Sequence, residues 1–218
     1  MTRTAFIAAA ALLASVQAHA VTVTLTAGPS TAVAGANVET FESYAAGSNL
    51  NGGKVYAWNS PGAALTGDNI YLISGISAQP KHGAALVKDQ WFSVAGGGDA
   101  TFSFASAQSY VGFLWGSVDT YNRVTFYNGS SVLGSYVGGT GGLPNVPTGN
   151  GHQGTAQYFN FFADAITSVR FQSGGNAFEI DNLASVTAVP EPESYALLLA
   201  GLGAMAFVAR RRRSDDLR

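Results

Sequence analysis

The sequence predicts an all-β fold, an antiparallel β-sandwich of the jelly-roll type, flanked by two terminal segments of different character. Apolar and polar residues alternate with a period of two, which is typical of strands that bury one face. Glycine- and proline-containing turns separate these short strands at regular spacing. Between residues 21 and 188 no stretch has a helical period, and no internal repeat indicates a solenoid or propeller.

The N-terminal segment has the features of a secretory signal peptide. Arg3 precedes an apolar run at residues 6–14, and Ala18-His19-Ala20 forms a small-x-small cleavage site. The run is too short to span a bilayer. We therefore expect residues 1–20 to be removed and residues 21–188 to form one β-sandwich domain.

Within this domain, the alternation is clearest around Phe102 and Phe104, which are predicted to face inward. Asn128-Gly129 predicts a tight hairpin, and this turn also explains the glycosylation sequon Asn128-Gly129-Ser130. The remaining glycine-rich pairs and the triplet Gly96-Gly97-Gly98 are interpreted as turns. Strands are predicted at residues 38–43, 54–58, 69–74, 84–88, 91–95, 100–105, 111–115, 123–127, 131–137, 157–163, 166–172 and 177–186.

Charge and cysteine content exclude several classes of function. The domain has nine acidic and five basic residues and no basic stripe, so a nucleic-acid partner is not expected. The chain has no cysteine, which excludes disulfides and thiol chemistry. His82 and His152 are isolated in sequence, and a zinc site is not expected.

The C-terminal segment, residues 189–218, has three parts in a fixed order. Val189-Pro190-Glu191-Pro192 is followed by sixteen uncharged residues, 194–209, and then by Arg210, Arg211, Arg212 and Arg213. The uncharged run would form a helix of about 24 Å, somewhat short of a hydrocarbon core of about 30 Å. Snorkelling arginines and local thinning can close such a gap. The pattern predicts a single transmembrane helix with the arginine cluster as a cytoplasmic stop-transfer signal.

This tail resembles the PEP-CTERM sorting signal of Gram-negative surface proteins. The resemblance implies that Pro190, Glu191 and Pro192 form a recognition motif for an exosortase-type membrane protease. It also implies an inner-membrane intermediate, followed by transfer to the cell surface or an exopolysaccharide matrix such as a biofilm. The resemblance covers only the tail, so it gives a destination and leaves the activity of the domain open.

Two carboxylates, Glu179 and Asp181, are predicted on one face of the last strand because side chains alternate. A retaining glycosidase needs such a pair. The segment resembles the start of the signature of β-sandwich glucanases, but Leu183 and Ala184 leave no place for its third acid. We therefore expect no enzyme activity, and a secreted glycan-active enzyme is the alternative.

Acidic residues also offer a calcium hypothesis. Glu39 or Glu42, near the first strand, could meet Asp181 in the last strand, since these strands often pair in jelly rolls. Carboxylate oxygens suit calcium. The arrangement resembles that of carbohydrate-binding jelly rolls; no other cofactor is expected.

Aromatic residues suggest a sugar-binding role for the domain. Exposed rings stack on sugar rings, and our candidates for such stacking are Trp58, Trp91 and Tyr121. A long loop at residues 138–154 matches a dinucleotide-binding pattern at 149–154, but neither a strand nor a helix flanks it, so we interpret it as a loop. The overall expectation is a non-enzymatic surface protein, structural or adhesive, with polysaccharide as a partner.

Overall fold

The computed structural model describes residues 21–42, 64–72, 80–82, 85–86, 90–140, 142–144, 156–189 and 192–215. Within these ranges the chain forms ten β-strands followed by one α-helix. The sheet is mostly antiparallel, which confirms the predicted all-β class. The predicted signal peptide, residues 1–20, lies outside the described residues, so its removal stays a prediction.

Eight of the strands share one sheet, in which two strands are unusually long. The strands are β1 (Thr22–Thr26), β2 (Asn37–Glu39), β3 (Ala64–Leu72), β4 (Lys81–His82), β5 (Ala85–Leu86), β6 (Phe92–Trp115), β7 (Asn122–Asn128), β8 (Ser131–Val137), β9 (Gln157–Ser173) and β10 (Phe178–Thr187), and the helix is α1 (Pro192–Asp215). The main sheet has the order β2-β10-β6-β9-β7-β8, with β1 paired to β9 and β3 to β6. Strands β4 and β5 pair with each other.

The two long strands divide this sheet into two halves. Residues 99–103 of β6 pair with 168–172 of β9, the register then shifts, and residues 110–115 pair with 157–162. The first half contains β3, β7, β8 and the stretches of β6 and β9 paired with them. The second half contains β1, β2, most of β10 and the remaining stretches of β6 and β9. The first residues of β10, 178–180, also pair with residues 92–94 of β6, which pair with β3.

Aromatic side chains fill the space where the two halves face each other. The ring of Phe113, in the second half, lies 5.0 Å from that of Phe171 in the first. Phe126 of the first half lies 4.4 Å from Phe161 of the second. All four side chains are fully buried, and burial of each contributes about 1.5–3 kcal/mol. This core accounts for the stability of a domain that has no disulfide.

The predicted turn at Gly96-Gly97-Gly98 is wrong, because β6 continues through it. Along β3, Asp68 pairs with Asp99 and Ile70 with Val94, so β6 carries extra residues between these two partners. Gly97 has φ of +78°, a conformation that side chains disfavour. The glycines therefore form a bulge within a strand, which a glycine run signals as readily as a turn.

The predicted hairpin at Asn128-Gly129 is present with a small shift. Asn128 pairs with Ser131, so the two turn residues are Gly129 and Ser130. Gly129 has φ of +57°, the left-handed conformation expected of glycine at the first central position. The turn joins β7 to β8.

Other strands differ from the prediction in number and in their boundaries. The segments predicted at 157–163 and 166–172 are one continuous strand, β9. Strand β1, the short run Thr22–Thr26, has no counterpart in the prediction. The strand predicted at 54–58 lies outside the described residues.

Candidate functional site

The junction between the sheet and the C-terminal tail is sharply defined. The backbone N–H of Ala188 donates to the carbonyl of Ala107 at 2.8 Å, just after the end of β10. The next residue, Val189, is 82% exposed. Among the described residues, Ala188 is therefore the last one before α1 with a backbone hydrogen bond to the sheet, and Val189 is exposed to solvent.

The helix α1 exposes apolar side chains around its circumference. It begins at Pro192, a residue suited to a first helical position because its fixed φ fits and no N–H is needed there. Large exposed side chains follow along it: Leu197, Leu198, Leu199, Leu202, Met205 and Phe207. Three consecutive leucines point in different directions at about 100° per residue. A helix that is apolar all round belongs in an apolar environment.

Comparison with known families assigns this tail. A model of the PEP-CTERM protein-sorting motif matches residues 188–213. The chain carries a PEP-CTERM sorting motif. Its first matched residue is Ala188, which makes the last backbone hydrogen bond to the sheet in the described part of the chain. No curated protein and no solved structure matches the chain.

The PEP-CTERM motif implies export, processing by an exosortase, membrane association and sorting to the cell surface. Of the residues predicted for the motif, Val189 is exposed and Pro192 begins α1. Pro190 and Glu191 lie outside the described residues. Arg210 is exposed on α1, and Arg211, Arg212 and Arg213 continue the same helix.

The prediction of a transmembrane helix at residues 194–209 needs correction. The helix itself is present as part of α1. Among the described residues, however, no helix has the length and apolar character needed to cross a membrane. The uncharged run has only sixteen residues, about 24 Å of helix, and charged residues enter any longer window.

The three predicted sugar-stacking residues do not form a common strip on the described part of the molecule. Trp58 lies outside the described residues. Trp91 is 8% exposed, so little of its ring is accessible to a ligand. Tyr121 lies against Gly175, where an added Cβ would be 3.2 Å from the tyrosine ring. Its hydroxyl donates to the carbonyl of Asn176 at 3.1 Å.

The surroundings of Tyr121 are acidic, and its side chain is partly buried. Burial raises the pKa of Tyr121, and the nearby carboxylates of Asp119 and Glu179 raise that pKa further. Asp119 is fully buried and accepts a hydrogen bond from Ser117. No sequence pattern indicated this cluster, because Asp119 and Glu179 are far apart along the chain.

The candidate calcium ligands lie at the predicted strand pair. Glu39 of β2 pairs with Leu183 of β10, so the early and last strands do meet. The carboxylate of Glu39 accepts the N–H of Phe41 at 2.6 Å, and that of Asp181 accepts the N–H of Asn182 at 2.6 Å. Glu42 accepts the N–H of Gln90 at 3.3 Å. In the described ranges, no group of three or more acidic or histidine side chains could hold a metal. Calcium binding stays a prediction.

The carboxylates of Glu179 and Asp181 share the face of β10 opposite to the core residue Ile180. They are 2% and 1% exposed, respectively. Residues 29–31 contribute to covering this region, since the carbonyl of Pro29 accepts a hydrogen bond from Asn182 at 2.8 Å. In this arrangement neither carboxylate is open to a polymer in solution.

A polar sheet face is formed by the outward side chains of β6, β7, β8 and β9 in the first half. Its residues alternate with core residues along β6, β7 and β9. Cross-strand partners align these polar side chains in rows. The polar sheet face consists of Asp99, Thr101, Ser103, Arg123, Thr125, Tyr127, Ser135, Ser168, Arg170 and Gln172.

Side-chain contacts order the middle of the polar sheet face. The Arg123 guanidinium donates to the Ser135 hydroxyl at 3.1 Å, and this hydroxyl lies 3.0 Å from that of Thr125. Arg170 forms an ion pair with Asp99, with Nε donating at 2.7 Å. Partial burial lowers the pKa of Arg170, but Asp99 and the neighbouring Tyr127 raise it above its ordinary value overall. Among the described residues no carboxylate forms an ion pair with Arg123.

The 149–154 segment with the dinucleotide pattern lies outside the described residues. The polar sheet face is a described surface with an ordered array of hydrogen-bonding groups. Part of it was visible in sequence: Thr101 and Ser103 alternate with Phe102 and Phe104, and the inward phenylalanines fix the outward direction of the polar pair.

Proposed function

We propose that this chain is a non-enzymatic surface protein whose β-sandwich domain has a structural or adhesive role in the extracellular matrix. The sorting motif at residues 188–213 carries this proposal, because it directs the domain to the cell surface. The exposed Val189 next to the anchored Ala188 supports separation of the domain from its tail without damage to the sheet. The β-sandwich domain would thus be the part of the chain that the cell exposes at its surface.

We further propose that the polar sheet face binds exopolysaccharide, with acidic sugars preferred at Arg123. A flat array of hydroxyls, amides and guanidinium groups suits the hydroxyl groups of a sugar polymer. The ring of Tyr127 offers a partly exposed apolar surface beside Arg170. Arg123 supplies a positive charge that no described carboxylate neutralises, and guanidinium groups bind carboxylates well.

A non-enzymatic role is supported by the burial of the paired carboxylates. Glycoside hydrolysis by a retaining enzyme needs two carboxyl groups that flank the glycosidic bond, one as the acid and one as the nucleophile. Glu179 and Asp181 are nearly inaccessible instead. The proposed role is therefore binding without turnover.

Calorimetry of the full chain in mild detergent, titrated with a panel of neutral and acidic polysaccharides, tests this proposal. We expect binding of acidic polymers that weakens with salt, because the charges are near the surface. Arg123→Gln should weaken binding about tenfold, since a charge-assisted hydrogen bond contributes about 1.5–3 kcal/mol. Leu25→Ala, on β1 and outside the polar sheet face, is the matched control and should bind normally.

Reducing-sugar release measured on the same samples separates binding from catalysis. Binding without release supports the proposal. Release of sugars would favour the glycan-active enzyme, and equal binding by Arg123→Gln and the unmodified chain would exclude the polar sheet face as the site.

A further inference from the structure

The tip of the β7–β8 hairpin carries an asparagine–glycine pair in contact with solvent. Asn128 and Gly129 are both exposed. The backbone nitrogen after an asparagine can attack the side-chain amide carbon, and glycine at that position has no side chain to hinder the approach. The pair therefore has the composition and the exposure of a chemical modification site.

A threonine on a neighbouring strand holds the atom that would react. The N–H of Gly129 donates to Oγ1 of Thr167 at 2.7 Å. The Thr167 hydroxyl in turn donates to the carbonyl of Tyr127 at 3.2 Å. Thr167 thus connects the end of β7 to the first turn residue and keeps the Gly129 N–H directed at its own oxygen.

We propose that Asn128 is a site of spontaneous deamidation and that Thr167 restrains the reaction. The Gly129 nitrogen loses its proton to solvent base and forms a bond to Cγ of Asn128. The Cγ–Nδ2 bond breaks, Nδ2 takes up a proton and leaves as ammonia, and a cyclic imide remains. Water then adds to one imide carbonyl and opens the ring to aspartate or isoaspartate. No oxidant or reductant is required.

This inference does not depend on the proposed sugar-binding function. The product carries a negative charge next to Tyr127, at one end of the polar sheet face. For a protein displayed outside the cell, the reaction would add an acidic group to that end with time.

The test compares deamidation at Asn128 in the full chain and in Thr167→Val, incubated at mildly alkaline pH in mild detergent. Peptide mapping by mass spectrometry measures the acid and isoaspartate products. We expect Thr167→Val to react about fivefold faster, because it loses one hydrogen bond of ordinary strength at the tip. Thr167→Ser keeps the hydroxyl and should react at the original rate.

The chain contains internal controls for this measurement. Asn51-Gly52 and Asn150-Gly151 are further asparagine–glycine pairs, outside the described residues, and neither should change with substitution at Thr167. The unmodified chain unfolded in urea gives the unrestrained rate. If Thr167→Val does not fold, the deamidation rates at Asn128 in the folded and the urea-unfolded unmodified chain are compared instead. This comparison tests whether the folded structure restrains the reaction.

Faster reaction at Asn128 alone in Thr167→Val supports the role of Thr167, and a much slower reaction in the folded chain than in urea supports a restraint by the folded structure. Equal rates at Asn128 in Thr167→Val and the unmodified chain would overturn the role of Thr167. Equal rates in the folded and unfolded chain would overturn the restraint itself.

Discussion

Phe113 packs where the two halves of the sheet face each other. Its ring contacts Phe161 at 5.4 Å and Phe171 at 5.0 Å, and it has no exposed surface. Phe113→Ala should lower the free energy of unfolding by about 3–5 kcal/mol, since it leaves a cavity among rigid rings. Urea unfolding measures the change. Val132→Ala, at a site 59% exposed, is the control and should change it by less than about 0.5 kcal/mol; equal effects would contradict this packing.

Buried tyrosines make the stability of the domain sensitive to alkaline pH. Burial raises the pKa of Tyr110 and of Tyr158, and the Tyr158 hydroxyl donates to the carbonyl of Asn182 at 3.0 Å. A group whose pKa is raised in the folded state stabilises the fold below its unfolded pKa, here about 10. That stability is lost as pH rises above this value, because only the unfolded chain then releases the protons.

The free energy of unfolding should therefore fall as pH increases beyond about 10. Tyr158→Phe should be less stable at neutral pH by about 1 kcal/mol, through loss of one hydrogen bond, and should show a shallower alkaline decline. Urea unfolding across the pH range measures both the loss of stability at neutral pH and the slope of the alkaline decline. An identical slope in Tyr158→Phe and the unmodified chain would exclude Tyr158 as a source.

Substitution of Gly97 tests whether β6 contains the bulge described above. It has φ of +78° and open space where a Cβ would lie, so the only cost of a substitution is conformational. Gly97→Ala should destabilise the domain by about 1–2 kcal/mol, and Gly97→Asn by less, since asparagine tolerates this conformation. Thermal unfolding of the two variants compares them. An unchanged midpoint in Gly97→Ala would indicate a different backbone at this place.

The boundary between β10 and the tail predicts where the chain can be cut. A chain ending after Val189 should keep its strand content and its stability, because the last hydrogen bond to the sheet is made by Ala188. A chain ending after Asp181 loses the buried residues Leu183 and Ala184 and should not fold. Circular dichroism and urea unfolding distinguish the two; failure of the longer chain to fold would place α1 within the domain.

At the level of elements, the sequence predicted what depends on local chemistry. The period-two pattern around Phe102 and the turn at Gly129 are local signals. The strand and the turn that they predicted are both present, the turn with a shift of one residue. The interpretation of Gly97 was wrong because a glycine run marks any place that needs positive φ, whether turn or bulge. The union of two predicted segments into β9 depends on pairing with β6, which no local pattern reveals.

Among the candidate sites, too, local sequence predicted some features and not those that depend on distant segments. The sorting motif is a linear sequence, so it could be identified without a structure. The burial of Trp91 and of Asp181 could not, because burial depends on segments distant in sequence. The polar sheet face required the register between four strands, although the alternation at Thr101 and Ser103 indicated one part of it.

For the molecule as a whole, we propose that a folded β domain is exported, separated from its tail near the PEP-CTERM motif and displayed at the surface. Three features agree: Ala188, just after the end of β10, is hydrogen-bonded to the sheet, Val189 is exposed, and the motif covers residues 188–213. The helix α1, which lies within the matched motif over most of its length, is the part that the proposed cut separates from the domain.

Mass spectrometry of the C-terminus of the protein recovered from the cell surface tests this proposal most directly. We predict a terminus near Pro190, Glu191 and Pro192, and accumulation of the longer chain in cells that lack the exosortase. Surface protein that still ends at Arg218 would contradict it.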